Sequence, residues 1–295
     1  MKRFLGLDVH KAVVEICAID EMGKRLFGRR IDCTREVLLK FAEELTKEDE
    51  IALEVTTNAW AVADLLEPFV GRVVVSNPMK TKAIAEAKVK TDKVDAEVLA
   101  QLLRCDYLPA IWVPDPTTRS LRQLTGRRER LVSQRTRLKN RIQSTLAGLL
   151  VVVPVKTLFS QAGQQWLTEC DLPDSEKALI ISDLRMIEAV DQEVALLETS
   201  LKEEAWKQAR VRLLMTIPGV DYYTALTLIA ALGDWTRFET GDQVASYLGL
   251  TPSVKQSANT CYYGSITKRG NSHARWMLTQ SAQNVGRHAG PLGVF

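Results

Sequence analysis

No cysteine in this chain stands in a C-x-x-C pair. The five present, Cys17, Cys33, Cys105, Cys170 and Cys261, are scattered, which argues against a zinc site or a disulfide framework and fits a reducing compartment. Long apolar runs are missing too: "LAGLLVVVPV" is short and ends at a proline, well under a membrane span. The opening "MKRFLGLDVHK" reaches an aspartate too early for a signal peptide. Nor is the charge strongly of one sign. A formal +3 over 295 residues does not announce a nucleic-acid partner, so its distribution carries more information than its sum. These absences point to a soluble intracellular protein, long enough for two domains with real apolar cores.

The first hundred residues alternate between strand and helix patterns. "RFLGLDV", "AVVEICAID" and "RLFGRRI" predict a three-strand meander. "TREVLLKFAEEL" has helical spacing from Thr34, with Val37, Leu38, Phe41 and Leu45 on one face. "IALEV" and "RVVVS" are buried-type strands, separated by a helix in "NAWAVADLLEPF". The resulting order β-β-β-α-β-α-β-α is that of an α/β ribonuclease-H-like layer over residues 1–112.

Beyond Pro114 and Pro116 the pattern turns helical. Residues 117–150 predict one long helix with Leu124, Leu131 and Leu138 at heptad spacing, and with Arg128 and Arg135 in the companion seam. Its other faces are basic: Arg119, Arg122, Arg127, Arg130, Arg137, Lys139 and Arg141. Residues 176–207 predict an acidic partner helix, with Ile180, Ile187, Val194 and Leu201 seven apart. Region 113–208 is therefore expected to be a coiled-coil hairpin or a dimerising coiled coil. Two readings of the basic face stand side by side: cross-hairpin charge pairing and nucleic-acid contact. Region 209–295 is expected to be mainly α. There "LLMTIPGVDYYTALTLIAALG" sets a tight turn between two apolar helices, in the manner of a helix-hairpin-helix.

Asp92 and Asp95 in "TDKVDAEVLAQLL" are three apart at an expected helix start, so they share a face. Asp8 closes "FLGLD" and Glu54 closes "IALE", an acid in an otherwise apolar strand. Metal-assisted phosphoryl chemistry needs carboxylates converging from separate segments on one or two divalent ions, and these four acids could do so. Each also has a plain alternative: a first-turn acid favours the helix dipole, Asp8 caps a strand end, and Glu54 pairs with Lys11 or Lys93.

"GLDVHK", "LEVT", "VKTDKVDAEVLA", "RSLRQLTGRRERLVSQRTRLKNRI", "TIPGV", "YLGLTPSVKQS" and "GSITKRGNSHARWML" occur in one order across nearly the whole chain. Together they resemble the DEDD transposases of bacterial insertion sequences, a group described as bridge-RNA-guided recombinases. The resemblance implies an N-terminal domain similar to the Holliday-junction resolvase RuvC. Its D-E-D-D tetrad would fall on Asp8, Glu54, Asp92 and Asp95, holding Mg²⁺, two ions in the usual arrangement. It also implies a C-terminal serine that becomes covalently linked to DNA. The matching residue is Ser257, with Lys268, Arg269 and Arg275 nearby to meet phosphate. From the residues alone, Ser257 is an ordinary loop serine and Ser253 or Ser265 would serve as well.

The implied partners are the DNA of element and target, a structured guide RNA and further copies of the chain as a dimer or tetramer, with no membrane. The implied location is the bacterial cytoplasm, at the nucleoid. Three departures from the family pattern stand out: Asp221 where the turn usually has a second glycine, Ala258 after the serine, and an end at "HAGPLGVF" where relatives continue. The rivals to a recombinase are a resolvase-like nuclease without a serine step, and a shortened non-catalytic relic.

Overall fold

The computed structural model describes residues 1–84, 91–257 and 260–285. Ala258 and the terminal "HAGPLGVF" lie outside the described residues. The chain forms two compact units, Met1–Val113 and Pro114–Phe295.

In the first unit β1 (Phe4–Val9), β2 (Val13–Ile19) and β3 (Arg25–Asp32) form the expected antiparallel meander. Next come α1 (Arg35–Ala42), β4 (Glu50–Glu54), α2 (Ala59–Leu66), β5 (Arg72–Ser76), a short α3 (Pro78–Ile84) and α4 (Asp92–Arg104). The sheet order is β3-β2-β1-β4-β5, with β4 parallel to both β1 and β5. Apart from α3, this is the element order read from the sequence, and the arrangement is that of a ribonuclease-H-like layer.

Strand alternation sends side chains to two different cores. Leu5, Leu7 and Val9 of β1 join Ile51 and Leu53 of β4 under α1 and α2. Phe4 of β1, Cys17 and Ile19 of β2, Ala52 of β4 and Val74 of β5 face α4, meeting Ala96, Leu99, Ala100 and Leu103. Gly6 lies on that second face. A Cβ added there would stand 1.9 Å from the Ala96 carbonyl oxygen and 2.6 Å from the Ala100 nitrogen. Helix backbone and strand backbone are thus in direct contact, which only glycine permits.

The second unit is built on α5 (Pro116–Gly148) and α7 (Asp174–Lys207), with α6 (Gln161–Glu169) in their connection. The pair is an antiparallel hairpin. Arg128 Nη2 lies 2.6 Å from Glu198 Oε1, Arg135 Nη1 2.5 Å from Asp191 Oδ1, and Arg141 Nε donates to Asp183 Oδ2 at 2.6 Å. The arginines that interrupt the apolar seam thus face acids of the opposite helix. Cross-hairpin pairing is the observed arrangement for these three.

The remaining elements are α8 (Ala209–Leu214), α9 (Tyr222–Leu232), α10 (Gly241–Tyr247), β6 (Pro252–Ser257), β7 (Thr260–Ile266) and α11 (Ser272–Val285). Leu121 of α5 and Leu201 of α7 share a core with Val211, Tyr223, Leu226 and Met277. The expected divide at 208/209 therefore runs through one packed interior. Sequence reading missed the β6–β7 ribbon: its strands bury nothing, so no alternation of apolar and polar residues marks them.

Candidate functional site

Asp8 and Asp92 come together because the end of β1 and the first turn of α4 lie at one place. Among the described residues the group close enough to share an ion is Asp8, His10 and Asp92, and Glu54 and Asp95 fall outside it. In register, Asp8 of β1 sits opposite Glu15 of β2, and Glu15 sits opposite Arg30 of β3. On the other side β1 and β4 pair as far as Leu7 with Leu53, and Asp8 and Glu54 are the next residue on each strand. Glu54 in turn sits opposite Ser76. All lie on the face that carries α4. A polar row, Arg30–Glu15–Asp8–Glu54–Ser76, therefore crosses the sheet just where its apolar rows stop. Glu15 and Ser76 are buried, and the Ser76 hydroxyl has no hydrogen-bond partner among the described residues.

Above this row stands the first turn of α4. Thr91 caps it, its hydroxyl accepting from the Val94 N–H at 3.3 Å. Asp92, Ala96 and Ala100 follow one another at helical spacing, and the last two rest on Gly6. The same stripe carries Asp92 out over the end of β1, beside Asp8.

His10 completes the group. Its Nε2 lies 3.1 Å from Asp8 Oδ2 and 3.5 Å from Asp92 Oδ1. One ligand atom from each of Asp8, His10 and Asp92 falls within 4.8 Å of the others, a grouping that could hold a metal ion. Burial pushes the Asp8 carboxyl above its ordinary value of 3.8. His10 pulls it down, while the negative charges of Asp92 and Asp95 push it further up. A carboxyl raised by burial and by like charge is one whose ionised form lacks a counter-charge, which a divalent cation would supply. The donor set therefore fits a metal ion. Asp95 stands one turn into α4, close enough for its charge to be felt at Asp8. Sequence reading missed His10 and Glu15 as site neighbours; strand register, which only pairing reveals, was the signal for Glu15.

Ser257 lies in the second unit, at the end of β6, paired in register with Thr260 and exposed. It is therefore a strand-end residue rather than a loop one. Lys268 sits in the left-handed region at φ 54°, its N–H donating to the Gly249 carbonyl at 3.1 Å. Arg275 Nη1 donates to the Leu248 and Arg269 carbonyls at 2.9 and 2.6 Å. It ties the "KRGN" loop to the end of α10 through that one nitrogen of the guanidinium. His273, near Ser257 in sequence, is engaged elsewhere. Its Nε2 is 2.8 Å from the Tyr223 hydroxyl, its Nδ1 is 3.5 Å from Glu129, and its ring stacks on Trp276.

The basic face of α5 divides in the same way. Arg122 donates to the carbonyls of Ala230 and Ala231 at 2.7 and 2.9 Å, closing the end of α9, and Arg141 is held by Asp183. Arg122 is thus tied within the unit, while Arg141 stays exposed beside its partner. Lys139 lies over the Phe159 ring, and Arg119 is part-buried. Arg127, Arg130 and Arg137 are exposed, Arg137 also reaching the Ser133 hydroxyl. Asp221 caps α9, accepting from the Thr224 N–H at 2.7 Å. That carboxylate takes the acceptor position a phosphate would use at this N–H.

Two transposase family models match the chain. One, described as a DEDD transposase of IS110 type, covers residues 5–151. The other, a transposase of the IS116/IS110/IS902 family, covers residues 211–293. The Coxiella burnetii transposase for insertion sequence element IS1111A is 26% identical over 97% of this chain and 78% of its own length. A Moraxella bovis pilin gene-inverting protein is 28% identical over 63% of this chain and 51% of its own. A solved structure of T. thermophilus RuvC with a Holliday junction substrate overlaps 38% of this chain and all of that one, at TM-score 0.27 and 11% identity. That likeness is too slight to carry weight. The family models take in the acids at one end of the chain and the serine at the other, in the order the motifs run: the chain belongs to the DEDD transposase family of bacterial insertion sequences.

Proposed function

We infer that the protein is a DNA recombinase that cuts and rejoins strands to excise and insert its element, with sequence recognition supplied by a structured RNA. The observation that carries this reading is the meeting of Asp8 with Asp92 at the end of β1, under the first turn of α4 and beside Glu54. Asp8, Glu54, Asp92 and Asp95 would hold divalent ions, Mg²⁺ by the family resemblance. Such ions stabilise both the attacking and the leaving oxygen of a phosphoryl transfer.

In this reading the Ser257 Oγ attacks a backbone phosphorus and gives up its proton. The bond from phosphorus to one sugar oxygen breaks, and that oxygen leaves as a hydroxyl. The serine phosphodiester keeps the bond energy, so a second sugar hydroxyl can reverse the exchange on another strand. Rejoining is also what the gene inversion named for the Moraxella relative requires, and hydrolysis alone does not achieve it. Arg127, Arg130, Arg137, Lys268 and Arg269 are left to meet nucleic-acid backbone, which Lys and Arg do without reading sequence.

The test uses the full chain purified from cells carrying the native flanking DNA, with the RNA that accompanies it, on end-labelled junction DNA in a divalent ion. A covalent protein–DNA band is expected, lost in Ser257→Ala and in Asp92→Ala. Cleavage without a covalent band, unaffected by Ser257→Ala, would replace the recombinase with a resolvase-like nuclease. Absence of a discrete RNA complementary to the element's ends would remove the guide from the scheme.

A further inference from the structure

We propose that His10 is itself a ligand of the metal at this site, and that its nitrogen tilts the site from Mg²⁺ towards a first-row transition ion such as Mn²⁺. The inference rests on the metal reading above and adds to it a donor and an ion preference.

The backbone around His10 is fixed from both sides. Its N–H donates to the Val13 carbonyl at 2.9 Å, closing the turn from β1 to β2. Its carbonyl accepts from the Asn58 side chain at 3.0 Å. Only the imidazole is left free to respond, and it stands half-exposed at the rim of the acid group.

The distances decide between an ion pair and a ligand set. Ions of this class sit about 2.1 Å from nitrogen and oxygen donors, so neighbouring donors lie roughly 3.0 Å apart in octahedral and roughly 3.4 Å apart in tetrahedral geometry. Nε2 is 3.1 Å from Asp8 and 3.5 Å from Asp92. A proton on Nε2 can serve Asp8, but 3.5 Å is too long for a good hydrogen bond to Asp92. One cation placed between the three would reach all of them with little movement. Below them the Ser76 hydroxyl, without a partner among the described residues, lies in the same polar row, which suits a hydrated ion.

Identity follows from the donors. Mg²⁺ favours oxygen and sheds water reluctantly. An imidazole beside carboxylates suits first-row transition ions better. One nitrogen among oxygen donors should therefore favour Mn²⁺ over Mg²⁺ by about tenfold, a difference that His10→Ala should largely erase.

The experiment binds Mn²⁺ to the full chain. It measures affinity for Mn²⁺ and Mg²⁺ by calorimetry, and looks for ¹⁴N coupling in the pulsed EPR spectrum of the bound Mn²⁺. The expected result is ¹⁴N coupling in the parent chain, its loss in His10→Ala and His10→Gln, and a Mn²⁺ affinity that falls more than the Mg²⁺ affinity. Binding that depends on Asp8 yet shows no ¹⁴N coupling, with an unchanged Mn²⁺/Mg²⁺ ratio in His10→Ala, would overturn the inference while leaving the metal site standing. If the parent chain binds neither ion, or Asp8→Asn binds both as well as the parent, the metal reading itself falls and takes this inference with it.

Discussion

Gly6→Ala is a one-methyl change aimed at the contact that sets the site. The added Cβ would meet the Ala96 oxygen at 1.9 Å and the Ala100 nitrogen at 2.6 Å, both backbone atoms in the middle of α4. No rotamer change relieves such a clash, so α4 must lift by roughly 1.5 Å to regain ordinary van der Waals distance. Overpacking of this kind costs about 1–3 kcal/mol, and the upper end applies where the obstacle is a helix backbone. For a unit of this size that is roughly a 10 °C fall in its melting temperature.

Because Asp92 rides on the lifted helix, its separation of 3.5 Å from His10 should open together with the loss of stability. The assay is calorimetric melting of the full chain with and without divalent ion, resolving the transition of the first unit. Gly6→Ala should lower that transition and abolish its rise on adding the ion. Gly148→Ala serves as control: a Cβ at that last residue of α5 meets nothing within 4 Å. The control should be neutral or gain a few tenths of a kcal/mol, as alanine is the better helix former. A Gly6→Ala protein that melts with the parent and still responds to the ion would refute the account of why the acids meet.

Three further outcomes follow from the side chains. Arg122→Ala removes two charged hydrogen bonds to the carbonyls that end α9 and should cost the second unit about 2 kcal/mol in urea unfolding. The His273 imidazole is held below its ordinary 6.5 chiefly by burial, with Arg128 acting the same way and Glu129 opposing. The fold thus favours the neutral ring. Its contribution is present above 6.5 and lost as pH falls below it, so the second unit should melt earlier towards about pH 5.5, less steeply in His273→Gln. Asp8 has the opposite sign. Its raised carboxyl favours the protonated form, so its contribution is present below 3.8 and lost as pH rises through the raised value. In chelator, the first unit of Asp8→Asn should be more stable than the parent near pH 7, and adding a divalent ion should reverse that order.

Much of the first unit was legible because period and punctuation agreed. The β-branched alternation of "AVVEICAID", the helix opening at Thr34 and the paired acids Asp92 and Asp95 marked elements where they are found. The convergence of Asp8 and Asp92 was legible because each closes or opens an element that the layer brings to one end. What was not legible depended on partners. Glu15 became a neighbour of Asp8 only through antiparallel register. The polar faces of α5 and α11 gave no sign that Arg122 donates to the end of α9 and Arg275 to the end of α10, since an arginine aimed at a carbonyl and one aimed at a phosphate look alike in sequence. The β6–β7 ribbon escaped because local pattern reports burial, and its strands have none.

That ribbon has a kinetic consequence. Both its faces are exposed, with Val254, Tyr262 and Tyr263 all more than half accessible. A two-stranded ribbon without a covered face is marginal by itself, and local opening there costs far less than unfolding the unit that carries it. Its amides should therefore exchange with solvent orders of magnitude faster than those of α9, which lies in the core. The hydroxyl of Ser257 is presented by an element with no covered face. Under the proposed function, whatever surface comes to lie against the ribbon would set the moment at which that hydroxyl is held still, and a free molecule would carry its own safety catch.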